Sequence, residues 1–220
     1  MMKKFALSSL AVALMASSSV VSAAEWSANI GAGSDYLWRG ISQTDGKPAI
    51  SGGIDVGTDI GFYAGTWVSN IDFGDDATYE LDLYGGFAGD VGDFFWDVGY
   101  VYYAYPNGDD LDFGEVYAGV GWNWFGVNVA YATNESASEK YYEDAFYVEA
   151  TFDFELTETI GIGFAVGNYS FDISDEDYVN YNAYVSKATD IGDFTFMVSD
   201  TDLDDDDPIV MVSWAYEFDL

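Results

Sequence analysis

From Trp26 to Leu220 apolar side chains return at every second position, segment after segment. Trp26, Ala28, Ile30 and Ala32 interleave with Ser27, Asn29, Gly31 and Gly33. Tyr79, Leu81 and Leu83 interleave with Glu80, Asp82 and Tyr84, and Phe146, Val148, Ala150, Phe152 and Phe154 with Tyr147, Glu149, Thr151 and Asp153. Successive strand side chains point to opposite faces, so each segment is a ribbon with one apolar and one polar face. About a dozen such ribbons behind an export signal point to an all-β fold, an antiparallel up-and-down transmembrane β-barrel.

The export signal is expected over residues 1–23. Lys3 and Lys4 precede an apolar run from Phe5 to Met15, and small residues follow to Val21-Ser22-Ala23. That order matches a charged n-region, a short h-region and a cleavage site. The run is shorter than the roughly 20 residues a helix needs to span a bilayer. The remaining chain, 24–220, is read as one barrel domain. It contains no cysteine, so export does not serve disulfide formation.

Strands are expected near 26–38, 48–58, 62–69, 78–88, 94–104, 114–122, 125–132, 145–154, 160–169, 178–186, 194–199 and 209–220. The connections alternate strictly between tight and long. Tight ones fall at Asp59-Ile60-Gly61, Asp90 to Asp93, Asn123-Trp124, Glu155 to Glu158 and Asp190 to Asp193. Longer, mostly acidic ones fall at 39–47, 70–77, 105–113, 133–144, 170–177 and 200–208. An outer-membrane barrel places short turns at the periplasmic end and longer loops outside. Gly beside Asp supplies the positive-φ conformations that tight hairpins need. Aromatic residues mark both ends. Trp26, Phe62, Phe94, Phe154, Phe194 and Phe218 lie beside the short turns, and Tyr36, Trp38, Tyr102 and Tyr131 at the opposite ends, as two interfacial girdles. The last segment carries Val212, Trp214, Tyr216, Phe218 and Leu220 at alternate positions, similar to the terminal strand signal of outer-membrane proteins. A soluble sandwich or lipocalin-like barrel shares the alternation, but its second face would not consist of glycine, small polar residues and clustered acids.

Charge narrows the partners. The chain has 39 acidic residues against 6 Lys and Arg, and beyond residue 23 the basic side chains are Arg39, Lys47, Lys140 and Lys187. Phosphate backbones would be repelled, which excludes nucleic acid. The expected partners are outer-membrane lipid, lipopolysaccharide and small solutes, cations among them. Histidine and cysteine are both absent. That removes Ser-His-Asp and Cys-His catalysis and His- or Cys-ligated zinc, so neither an enzyme nor a cofactor is expected. The run Asp200 to Asp207 resembles the start of a calcium loop, but Asp205 stands where glycine is needed and Met211 where the bidentate Glu belongs. It reads as a solvated acidic loop, with divalent bridging to lipopolysaccharide as the alternative.

On the expected strands, Asp35, Asp55, Glu80, Asp82, Asp97, Glu115, Glu149, Asp153 and Glu217 fall opposite the lipid-facing set. These nine acids and Arg39 are the candidate pore-lining residues. A charge facing lipid near the midplane costs up to about 2–4 kcal/mol, whereas a wet lumen tolerates it. An acid-lined pore passes cations and rejects anions. The alternative is a polar plug filling a narrow barrel. Arg39, one position after Trp38, is expected on the lumen side with Asp35. There its guanidinium would pin loop 39–47 to acids of neighbouring strands, or else snorkel beside Trp38.

The run Asp35-Tyr36-Leu37-Trp38-Arg39-Gly40-Ile41-Ser42-Gln43-Thr44, with Lys47-Pro48-Ala49 after it, resembles the opening signature of the TorF-type porin family of Gram-negative bacteria. Gly52 to Asp55, Gly61 to Gly65, Glu80 to Gly86, Asp97 to Tyr100 with Tyr105-Pro106, and Phe113 to Gly119 continue the likeness, which thins beyond Tyr131. The resemblance implies a barrel at the outer membrane and carries over no catalytic residue. The expected function is a passive, cation-preferring channel for small solutes. The alternatives are a non-conducting barrel with acidic surface loops and a soluble periplasmic binding barrel.

Overall fold

The computed structural model describes residues 24–137, 142, 144–172, 176–204 and 207–220. The expected signal segment, Lys140 and the middle of the acidic run at 205–206 lie outside the described residues. Fourteen strands form among the described residues. They are β1 (Glu25–Gly33), β2 (Leu37–Trp38), β3 (Ile41–Ser42), β4 (Ala49–Gly57), β5 (Phe62–Asn70), β6 (Tyr79–Val91) and β7 (Phe94–Ala104). Then follow β8 (Phe113–Trp122), β9 (Phe125–Glu135), β10 (Phe146–Thr157), β11 (Ile160–Ser170), β12 (Tyr178–Thr189), β13 (Gly192–Thr201) and β14 (Ile209–Asp219). β1 and β4 to β14 close into an antiparallel barrel, each strand paired with its sequence neighbour and β1 with both β4 and β14. The seam runs from Ser27 opposite Asp219 to Gly33 opposite Ser213. β2 and β3 form a separate two-stranded hairpin.

The alternation in the sequence becomes two faces of the wall. Mid-strand residues such as Ile54, Val98, Phe164 and Phe196 are exposed on the outside, while their chain neighbours Asp55, Asp97, Ala165 and Met197 turn inward. A continuous apolar band around a closed sheet, with no unpaired edge, suits lipid as its solvent. The expected tight turns close the hairpins at one end, with positive φ at Gly61, Gly92, Asn123 and Gly192. Trp26, Phe62, Phe94, Phe154, Phe194 and Phe218 are exposed on the outside at that end, as expected of a girdle.

Glycines on the inner face make room for tyrosines across the ladder. Tyr84 lies opposite Gly65 and Tyr63 opposite Gly86, Tyr117 opposite Gly99 and Tyr184 opposite Gly163. A methyl on Gly163 would overlap the Tyr184 ring, and one on Gly65 would meet both Tyr84 and Asp55. Each ring therefore lies flat against the wall and sends its hydroxyl along it. This is aromatic rescue of a strand glycine.

One expected strand is shorter than the sequence suggests, and two girdle assignments are corrected with it. The first strand ends at Gly33, not residue 38. A Cβ on Gly33 would sit 2.6 Å from the Asp35 carbonyl oxygen, so the chain doubles back at a point only glycine tolerates. Ser34 caps the turn, donating its N–H to the Val212 carbonyl (2.8 Å) and accepting from the Val212 N–H (3.0 Å). Residues 35–44 then fold into the barrel, and 45–48 return along its exposed rim. Tyr36 and Trp38 consequently leave the lipid face for the interior, where Tyr36 is buried and Trp38 half-buried.

Candidate functional site

The site is built around the hairpin of β2 and β3. Its two-residue turn is Arg39-Gly40, both at positive φ (50° and 89°), the pattern of a type I′ turn. A non-glycine residue there is uncommon, and Arg39 holds the conformation because its side chain is fixed at several points. At the base, one oxygen of Asp35 accepts from the Ser42 and Thr44 hydroxyls and from the Tyr36 N–H, each at 2.7 Å. Asp35 thus ties the two arms together. Asp35 lies in the turn before β2, outside the wall strands.

From that base the hairpin reaches across the lumen. The Tyr36 hydroxyl donates to Glu80 of β6 at 2.6 Å. Arg39 donates two parallel bonds to Glu115 of β8, at 2.8 and 2.7 Å. Its guanidinium carbon also lies 4.3 Å from the Trp38 ring centre, 4.2 Å from Tyr147 and 4.5 Å from Tyr169. A bidentate fork with aromatic faces is the geometry a guanidinium exploits and an ammonium does not. Gly40 presses on the opposite wall, where a Cβ would come within 2.8 Å of Asn180 and 2.9 Å of Thr201. Trp38 packs edge-on against Tyr103, Phe113, Tyr142 and Tyr169, and Leu37 against Tyr184, Met197 and Met211. Hairpin and wall together fill the half of the barrel away from the short turns. The pair is buried on both sides, Arg39 at 6% and Glu115 at 1% exposure.

Beneath the turn is a cavity of about 110 Å³, lined among others by Trp38, Arg39, Asp97, Glu115, Tyr147 and Glu149. Glu149 accepts from the Tyr147 hydroxyl at 3.0 Å. Closer to the short-turn end the acids are paired with tyrosines. Tyr63 donates to Asp97 (2.6 Å) and meets the Tyr117 hydroxyl, Tyr84 bonds Asp55, and Tyr184 bonds Asp153. Asn29 adds a 3.2 Å bond to Asp55. Glu217 is inward by its register opposite Asn29 but exposed. Asp82 is fully buried, and neither carboxylate oxygen has a hydrogen-bond partner among the described residues. No cluster of three or more metal-ligating side chains occurs among the described residues.

The candidate residues thus fall into three groups. Arg39, Glu115, Asp35 and Glu80 belong to the hairpin and its anchors. Asp97 and Glu149 border the cavity, with Asp82 buried on the wall. Asp55, Asp153 and Glu217 stand nearer the short-turn end. Sequence reasoning passes over the inward tyrosines, Tyr63, Tyr84, Tyr103, Tyr117, Tyr147, Tyr169 and Tyr184. The signal for several is present, since the same parity that turns Phe62 and Phe146 outward turns Tyr63 and Tyr147 inward. Outside the barrel, Lys47 meets Asp72 of the next long loop at 2.5 Å. This bond raises the Lys47 ammonium above its ordinary pKa and lowers the Asp72 carboxyl below its own.

Among solved structures the fold is similar to "KdgM porin", with a TM-score of 0.58 at 10% identity over 88% of this chain and 99% of that one. "KdgM porin in complex with disordered oligogalacturonate" gives 0.57 at 8% identity over 90% and 99%. The NanC porin in a rhombohedral crystal form gives 0.53 at 10% identity over 86% and 97%. At these identities the likeness is one of fold. No curated protein sequence matches the chain. A family model described as "Bacterial protein of unknown function (Gcw_chp)" matches residues 17–217, and the chain belongs to that family.

Proposed function

We propose that this protein is an outer-membrane channel for small solutes, passive and cation-preferring, with a mouth narrowed by its own first long loop. The observation that carries the reading is the hairpin of residues 35–44, folded into a closed barrel and fastened to Glu80 and Glu115. A filled structural barrel needs only packing. A hairpin held by one bidentate ion pair at its tip and one tyrosine–carboxylate bond is instead a fastening able to release as a unit. The similarity to porin folds supports the same reading, as does the porin label of the TorF-type family that the opening motif resembles. The driving force would be the solute gradient. Selectivity would come from the inward acids, Asp35, Asp55, Glu80, Asp82, Asp97, Glu115, Glu149, Asp153 and Glu217, set against Arg39. The reading involves no catalytic step and no cofactor.

A second reading, a non-conducting barrel, is favoured by the aromatic packing around Trp38, Tyr103 and Phe113 in the outer lumen. Planar-bilayer recording separates the two. Discrete conductance steps, with a reversal potential favouring K⁺ in a KCl gradient, support the channel. An electrically silent protein that migrates as a folded barrel on gels supports the plug.

A further inference from the structure

We propose that the lumen wall holds a receptor for a guanidinium-bearing solute, and that Arg39 occupies it as a tethered stand-in. The wall supplies most of the cage. Glu115 of β8 offers the two oxygens that take both Arg39 nitrogens, while Tyr147 of β10 and Tyr169 of β11 offer rings at 4.2 and 4.5 Å. Only Trp38 travels with the hairpin. Withdrawing the hairpin therefore leaves a carboxylate flanked by two aromatic faces, which recognises a planar, delocalised cation over a compact ammonium.

Two further features suit a larger visitor. The cavity beneath Arg39 extends the cage toward the short-turn end and is bordered by Glu149, itself buried. Asp82 is buried on β6 with no hydrogen-bond partner among the described residues. Glu115 takes both guanidinium nitrogens of the hairpin, and Glu149 adds a second carboxyl group to the lining of the cavity. The inference deepens the channel reading and rests on it, because it names the class of solute that would displace the hairpin and pass.

A tethered ligand competes at an effective concentration set by its short linker. While Arg39 occupies the cage, a free competitor binds only the withdrawn state, and it multiplies the withdrawn-to-docked ratio by 1 + [L]/Kd. The test uses Gln43→Cys, a buried hairpin position in a chain with no native cysteine. Thiol-reagent labelling of the full barrel in detergent micelles reads hairpin withdrawal without requiring conduction. Propylguanidinium chloride at four times its dissociation constant should speed labelling about five-fold. Propylurea with matched sodium chloride should leave the rate unchanged. In Arg39→Ala/Gln43→Cys, propylguanidinium should refill the cage and slow labelling. In Glu115→Gln/Gln43→Cys it should lose its effect. Equal rates with propylguanidinium and propylurea in the Arg39-containing protein overturn the receptor. A labelling response with no accompanying bilayer current keeps the receptor and removes the channel reading instead.

Discussion

Arg39→Ala tests the fastening most directly. The substitution strips the cation from Glu115, a carboxylate only 1% exposed. Removing one partner of a buried ion pair costs about 3–5 kcal/mol while the other charge stays buried. Loss of the ring contacts adds about 2 kcal/mol for a desolvated cation. A closed protein core would absorb this as global instability, but the barrel has another route. The hairpin withdraws, water reaches Glu115, and the wall keeps every ladder hydrogen bond. The cost therefore appears in the docked-to-withdrawn ratio, and about 5–7 kcal/mol in all moves that ratio by roughly four to five orders of magnitude. Single-channel recording should show higher or noisier conductance, while heat-modifiable gel migration stays that of a folded barrel. Arg39→Lys should restore docking in part, since an ammonium lacks the planar fork. Arg39→Met/Glu115→Leu should stay docked, because apolar groups of similar volume often replace a buried ion pair without loss. If Arg39→Ala leaves conductance, selectivity and protease sensitivity of residues 34–48 unchanged, the fastening argument is wrong.

Other expectations follow from the wall and its loops. Epitope tags in loops 133–144 and 200–208 should be labelled on intact cells, and labelling at Asp90–Asp93 instead would invert the topology. Replacing Glu80, Asp82 and Glu149 with their amides should reduce K⁺ preference in a KCl gradient, and a chloride-preferring channel would overturn the electrostatic reading. Gly163→Ala should push Tyr184 off the wall, break its bond to Asp153 and destabilise the barrel by about 1–3 kcal/mol; additive effects with Tyr184→Ala would show that the two positions do not interact. The Lys47–Asp72 tie should be present near neutral pH. The lowered Asp72 carboxyl loses its contribution as pH falls through its native value, and the raised Lys47 ammonium loses its own as pH rises through the native value. Both side chains are exposed, so the protection factor of the Asp72 amide, whose N–H donates to the Gln43 carbonyl, should fall only slightly on acidification; an unchanged protection factor would remove the tie.

The wall was legible because its solvent is sorted strand by strand. Parity turned Ile54 outward and Asp55 inward, and Gly-Asp turns marked where parity restarts. The error at Tyr36 and Trp38 has a definite cause. Their positions continue the even parity of Trp26, Ala28 and Ile30, and period two does not distinguish an aromatic facing lipid from one facing a packed lumen. The deciding feature is the reversal at Gly33, a single small residue among many in the strands. Arg39 drew notice as an isolated cation beside acids. Its partner Glu115 lies far across the barrel in sequence and in strand order, a pairing fixed by closure of the sheet and absent from any local pattern.

Closure also ties the hairpin to the circumference of the barrel. Tyr36 touches β6, Arg39 touches β8, and Gly40 touches β12 and β13, strands that share no ladder with β1. Those contact points converge on one spot only when the sheet curls to a particular circumference. Barrel diameter grows with strand number, so a sheet one hairpin larger or smaller would pull Glu80, Glu115 and Asn180 out of simultaneous reach. The docked hairpin thus fits one circumference from inside, the one at which β14 meets β1.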